Sequence, residues 1–324
     1  MKTRKITLLL PFVSLILFTL ASCKGSNPVD CPHCEKEANG ELAYSYFVKL
    51  SSIPRCTYNE KAASDYIAEF AIMRGFYTFQ DDMSNLLIRK NGSKGRESEP
   101  PVILQAHIDM VCKKDEDYPH NFETDPIIPD TSGGWIRASG GTTLGADNGA
   151  GVSMIMAILA SESISHPPIE ALLTVQEEIG LVGALAFDVS QLSGGRLINL
   201  DCVEEKMFIA GSKRDTASQI FIPMLPEALA KIAELPDWNY KEESPLRDKM
   251  ADVFKKVYGE APAIVQINNN RAGVEPMAFA ERMPHLDMVS IGPDILDIHT
   301  PEERMSLSSF YRVYNYLVKV LEEL

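Results

Sequence analysis

Two histidines and a set of carboxylates stand where apolar runs end. "PPVILQAHID" (residues 100–109) closes on His107 and Asp109, "LLTVQEEIG" (172–180) carries Glu177 and Glu178, and "LINLD" (197–201) stops on Asp201. Asp147 opens the helix that follows "GGWIRASGGTTLGADNGAG" (133–151), and His299 lies in the loop after "VSIGP" (289–293). Any one of these reads as a cap, a turn or a solvated pair. Together they repeat one position, the end of an element, in a chain with only 6 His. Imidazoles and carboxylates gathered from separate elements suit a pair of divalent cations of the zinc type rather than Ca²⁺.

Such a gathering requires elements that end at a common edge. "PPVILQAHID", "IEALLTVQ" and "GRLINLD" are continuous apolar runs of strand length, the pattern of strands buried on both faces. "NLLIRK", "PAIVQIN" and "LDMVSIG" read as further strands, and "NGSKGRESEP" as an exposed hairpin or loop. Helical spacing of apolar residues marks "AYSYFVKLSSI", "YNEKAASDYIAEFAIMRGF" with Gly75 as its stop, and the C-terminal "MSLSSFYRVYNYLVKVLEEL". "VSMIMAILAS" is an apolar helix, and "SPLRDKMADVFKKVYG" has a Ser cap and a Gly stop. Strands alternating with helices imply a three-layer α/β/α domain with a mostly parallel central sheet. In such sheets ligands bind beyond the carboxyl ends of the strands, which is where the polar residues fall.

The 324 residues are 45% hydrophobic and 23% charged, enough for one large α/β domain with a full core. A net charge of −14 with no basic cluster in the mature region argues against nucleic acid and anionic membrane surfaces as partners. "MKTRKITLLLPFVSLILFTLASC" has the basic start, apolar stretch and small residues of a secretory signal. "LASC" resembles a lipobox, which implies a bacterial lipoprotein, periplasmic or at the cell surface, with residues 1–22 removed and Cys23 lipidated as a membrane anchor. Residues 23–40 then form a linker and 41–324 one catalytic domain. Cys31, Cys34, Cys56, Cys112 and Cys202 remain, an odd number; "CPHC" lacks the partners of a zinc or redox motif and reads as a local disulfide or an inert tether.

"QAHIDMVC", "GTTLGADNGAGV", "LLTVQEEIGLVGA", "LINLD" and "SIGPDILDIHTPEER" occur in the order seen in the M20 metallopeptidases, which the chain resembles from about residue 45 to its end. Within that family it is similar to the bacterial Xaa-His dipeptidases, also called aminoacyl-histidine or cytosol non-specific dipeptidases. The resemblance implies a zinc-peptidase-like fold and a two-metal site. His107 and Asp201 would bind one metal, Glu178 and His299 the other, and Asp147 would bridge them. Asp109 would orient His107, and Glu177 would be the general base. Successive strand side chains point to opposite sides, so the turn at Gly180 is what allows Glu177 and Glu178 separate tasks at one site.

Three departures accompany the resemblance. Little chain lies between Asp201 and His299, so the lid domain usual in the family is expected to be missing. Arg271 in "NNNRAGVEPMAF" stands where the family has a His, while Glu275 matches; both are candidates for substrate contact. "GSKRD" replaces a glycine-rich family segment. The sequence therefore points to a dipeptidase or aminopeptidase for short peptides with two divalent ions, zinc first and cobalt or manganese as alternatives. An N-acyl amino acid deacylase using the same site is one rival, and a metal- or peptide-binding lipoprotein without turnover is another. The oligomeric state does not follow.

Overall fold

The computed structural model describes residues 40–213, 237–268 and 273–324. Two helices, α1 (Glu41–Ser51) and α2 (Lys61–Ile72), lead into β1 (Tyr77–Gln80), β2 (Leu86–Lys90) and β3 (Val102–His107). Short strands β4 (Pro129–Ser132) and β5 (Trp135–Ala138) precede helix α3 (Ala146–Ala160) and β6 (Ile169–Thr174). Then come α4 (Val182–Ala186), β7 (Arg196–Asn199), β8 (Met207–Lys213), α5 (Pro245–Tyr258) and β9 (Ala263–Asn268). The chain closes with α6 (Pro276–Ala280), β10 (Asp287–Ser290), β11 (Ile295–Leu296), β12 (Arg304–Ser306) and α7 (Leu307–Glu323).

Eight strands form one sheet in the order β1-β2-β6-β3-β7-β10-β8-β9. The pairs β6–β3, β3–β7, β7–β10 and β8–β9 are parallel, and β1–β2, β2–β6 and β10–β8 antiparallel. All six residues of β3 and all six of β6 are buried, as continuous apolar runs covered on both faces require. Their alternation divides the core. Val102, Leu104 and Ala106 join the cluster that includes α1, α2, α3, α5 and α7, whereas Ile103 and Leu172 join the smaller cluster with α4 and α6. The result is the expected three-layer arrangement.

The helices follow their sequence signals. Ser244 accepts from Arg247 N at 3.1 Å and Gly259 ends α5 in the left-handed region at φ +76°. Tyr316 of α7 donates to Met250 O of α5 at 2.8 Å inside an aromatic cluster with Phe208, Phe254 and Tyr258. Helix α3 is buried on nearly every side, so it has no amphipathic pattern; it packs between α1 and β3. Two features were not foreseen. A second sheet, β11-β12-β5-β4, joins the glycine-rich segment to the segment around His299. A disulfide between Cys56 and Cys112 ties the turn before α2 to the segment after β3, while Cys202 is free and buried. Cys31 and Cys34 lie outside the described residues.

Candidate metal centre at the strand ends

His107 is the last residue of β3 and Thr174, its register partner, the last of β6. Beyond that edge the structure brings together His107, Asp109, Asp147, Glu177, Glu178, Asp201 and His299. The adjacent pair is presented by a break in the strand pattern four residues earlier than Gly180, immediately before Glu177. Gln176 adopts a left-handed backbone (φ +55°), which ends the alternation before Glu177. Gly180 then closes the turn, its N–H donating to Glu177 O at 2.9 Å. Asp109 fixes the pair from below: its Oδ1 accepts from Glu177 N at 3.0 Å and its Oδ2 from Glu178 N at 3.3 Å and Thr57 Oγ1 at 2.9 Å. His107 Nδ1 lies 3.1 Å from the carbonyl of Asp109 and 3.4 Å from its Oδ1, which turns Nε2 toward the centre.

The donor atoms form two groups that share Asp147. His107 Nε2 is 3.1 Å from Asp147 Oδ1 and 3.4 Å from Asp201 Oδ1. His299 Nε2 is 3.3 Å from Asp147 Oδ2 and 3.0 Å from Glu178 Oε2. Ligands at about 2.0–2.1 Å from a tetrahedral ion are separated by about 3.3 Å, so both groups have the spacing of ligand edges. Each oxygen of Asp147 faces a different imidazole, as a bridging carboxylate would. Glu178 Oε1 is buried with no hydrogen-bond partner, a costly state that a cation would relieve. The residues therefore fit two divalent ions. His107, Glu177 and Glu178 also converge closely enough to form a third, overlapping group.

Charges show how much positive potential the site requires. Burial pushes the Glu177 carboxyl well above its usual range, and Glu178, Asp201 and Glu275 push it further while His107 opposes them. Burial likewise raises Glu178 to about 7 against the pull of His299, and Asp201 to about 6 against that of His107. Burial disfavours a charged His299, yet Glu178 and Asp147 lift it to about 12. Asp147, also opposed by burial, is held low by His107 and His299. Protonated imidazoles supply in the metal-free site part of the positive charge that the carboxylates demand.

Below the centre, a polar chain crosses the sheet. Gln105 Nε2 donates to Thr174 Oγ1 at 3.2 Å and to Glu275 Oε2; Asn199 Nδ2 donates to Gln105 Oε1 at 2.6 Å, and Ser290 Oγ to Asn199 Oδ1. Glu275 is thus fully buried against Gln105, its carboxyl raised to about 7 by burial. Arg271 lies outside the described residues. Residues not singled out from sequence also serve the site. Asn148, joined to Asp147 by a cis peptide, donates to Leu200 O at 2.8 Å and to Asp201 Oδ1. Glu60, Arg55 and Glu303 are buried and bind backbone nearby. Glu303 lay within the quoted "HTPEER", so its motif was visible although its role was not.

The model of "Peptidase family M20/M25/M40" matches residues 103–323. "Cytosol non-specific dipeptidase" of Escherichia coli (strain K12) is 44% identical over 162 residues, 50% of this chain and 33% of that protein. "Uncharacterized protein YqjE" of Bacillus subtilis (strain 168) is 32% identical over 111 residues, 33% of this chain and 27% of that protein. The chain thus spans about a third or less of the length of the curated relatives it matches. Among solved structures, aminoacylhistidine dipeptidase from Vibrio alginolyticus superposes with a TM-score of 0.77 at 23% identity, covering 87% of this chain and 96% of that one. Aminopeptidase PepT from Bacillus cereus ATCC 10987 gives 0.71 at 17%, covering 89% and 99%. Both share the fold.

These findings correct the expectation of an exported lipoprotein anchored through Cys23. The Escherichia coli relative is named for the cytosol, and among the described residues no helix is long and apolar enough to cross a membrane. The expectation rested on one basic-then-apolar segment, a compositional pattern with no packing or chemistry to check it; that segment lies outside the described residues.

Proposed function

The chain belongs to peptidase family M20/M25/M40, and from that membership we propose that it hydrolyses the amide bonds of dipeptides or short peptides with two divalent metal ions, zinc by the character of the donor set. The observation that carries the reading is Asp147, whose two oxygens face different imidazoles, with Glu177 beside them. Asp147 would be the shared ligand, His107 and Asp201 would complete one position, and Glu178 and His299 the other. The ions, when bound, acidify water and polarise the scissile carbonyl.

The chain's own residues do the rest. Asp109 fixes the His107 ring and, through two backbone N–H groups, the position of Glu177 and Glu178. Glu177 takes the proton of the attacking water and delivers it to the leaving amine. A carboxylate held beside the water is the right kind of group for both transfers. Of the described strands between Asp201 and His299, β8, β9 and β10 belong to the central sheet and the two-residue β11 to the small sheet that carries β5, which supports a single catalytic domain (residues 41–324) without a separately folded lid.

Metal analysis combined with a hydrolysis screen tests this. Two bound ions with turnover of dipeptides is the expected result. Turnover confined to N-acyl amino acids would reassign the substrate to the deacylase class. Two ions with no turnover of any short peptide or amide would overturn the enzymatic reading.

A further inference from the structure

We infer that Glu303 and Arg55 are positioning residues that hold the Asp147 bridge in register with the two histidines before any cation binds. The inference rests on the two-metal reading above. Its basis is a set of contacts around the backbone from Leu144 to Asp147. Glu303 is buried, and its carboxylate accepts four successive backbone N–H groups. Oε2 accepts from Leu144 at 2.8 Å and Gly145 at 3.0 Å; Oε1 accepts from Ala146 at 2.8 Å and Asp147 at 3.2 Å. The opening N–H groups of a helix lack intrahelical partners, and a side-chain cap ordinarily satisfies one of them. Here one distant carboxylate takes four, two just before the helix (Leu144 and Gly145) and two at its start (Ala146 and Asp147), and its negative charge is favourable at that end.

Arg55 holds the same segment from the other side. It is also buried, and its Nη1 donates to Ile108 O at 2.8 Å and Asp109 O at 3.3 Å, while Nη2 donates to Gly145 O at 2.5 Å. The N–H of Gly145 is therefore held by Glu303 and its carbonyl by Arg55. Glycine makes this approach possible. A Cβ at Gly145 would stand 2.5 Å from Arg55 Nη2, and one at Gly149 2.6 Å from it. Gly145 also has φ +71°, a conformation that strains other residues.

What the two residues connect gives them their role. Glu303 follows His299 in the same loop, so its carboxylate ties the His299 segment to the N–H of Asp147. Arg55 ties the carbonyls that follow His107 to the residue two before Asp147. Three ligand-bearing segments are thereby fixed by protein contacts alone. Ligands whose backbone is fixed this way lose little freedom when an ion arrives, and loss of an outer partner of a ligand typically weakens metal affinity about 10–100-fold.

The test uses the full chain, stripped with a chelator and reloaded with Zn²⁺ or Co²⁺. Zn²⁺ affinity is read by competition with a chromophoric chelator, at a temperature where every protein compared is folded. Co²⁺ absorption reports the geometry of the centre. Glu303→Gln places an amide N–H₂ against backbone donors. It should lower affinity for at least one ion about 10–100-fold and change the Co²⁺ spectrum. Arg55→Lys keeps the charge but not the planar fork, and should do the same; it decides the matter if Glu303→Gln does not fold. A merely structural role would lower thermal stability and leave both readouts at wild-type values, and that result would overturn the inference. Wild-type protein that takes up fewer than two ions would instead remove the two-metal reading, and the inference with it.

Discussion

Glu177 and Glu178 share a peptide bond but not an environment. Glu178 faces His299 at 3.0 Å, whereas Glu177 is surrounded chiefly by other carboxylates, with His107 the opposing group. Replacing Glu177 by Gln should therefore lower kcat by about 10²–10⁴-fold while both ions stay bound; unchanged turnover would show that the proton is handled elsewhere. Glu60 provides a pH test of the metal-free protein. Burial, with Asp109 adding to it, raises its carboxyl from 4.5 to about 7. Between those values the folded chain keeps a proton that the unfolded chain releases, so stability falls as pH rises from about 4.5 to 7 and then levels off. Glu60→Gln should remove that slope and stabilise the metal-free protein at pH 8, relative to pH 5, by on the order of 1–2 kcal/mol after allowance for solvent screening. Urea midpoints at the two pH values measure it. His107 and Asp201 could be picked from sequence because each closes an apolar run at an element boundary, and Asp147 because it opens a helix after a glycine-rich segment. Arg55, Glu60 and Glu303 could not, because their partners are backbone atoms of remote segments and leave no spacing pattern.

At the scale of elements, the best-read segments were those whose ends carry their own chemistry. Helix α5 begins at Ser244, whose hydroxyl accepts from Arg247 N and donates to Asp287 Oδ1 at 2.6 Å, so one side chain caps the helix and docks it on β10. Ser244→Ala should cost about 1–2 kcal/mol in thermal or urea unfolding, toward the upper end because Asp287 also loses one of its donors, keeping only that from Leu246 N. Strands β4, β5, β11 and β12 were missed for a physical reason. They are two to four residues long and lack a sustained alternation, and their order comes from pairing with one another. The turn after β6 was placed at Gly180 because glycine is the visible signal, yet the reversal starts at Gln176, whose left-handed backbone no residue preference announces.

Across the whole molecule, the Cys56–Cys112 disulfide spans 56 positions and links the Arg55 and Thr57 segment to the end of β3. Its reduction should destabilise the chain by about 2–4 kcal/mol, read as a lower urea midpoint with dithiothreitol than without. Odd cysteine counting could not identify this pair, since pairing depends on which loops the sheet brings together. The three-layer organisation was legible because buried strands and amphipathic helices repeat their patterns over most of the length. The destination of the chain was not, because it hung on a single segment that no other part corroborates.

His299 has a backbone at φ +62°, and this restricts any redesign of the centre. Histidine, asparagine and aspartate tolerate that conformation better than most side chains. Someone wishing to shift the site toward a harder cation would be better served by Asp than by Glu at position 299. The longer acid offers the same oxygen ligands but lacks the backbone tolerance. The repertoire of exchangeable ligands there is set by the main chain before coordination chemistry is consulted.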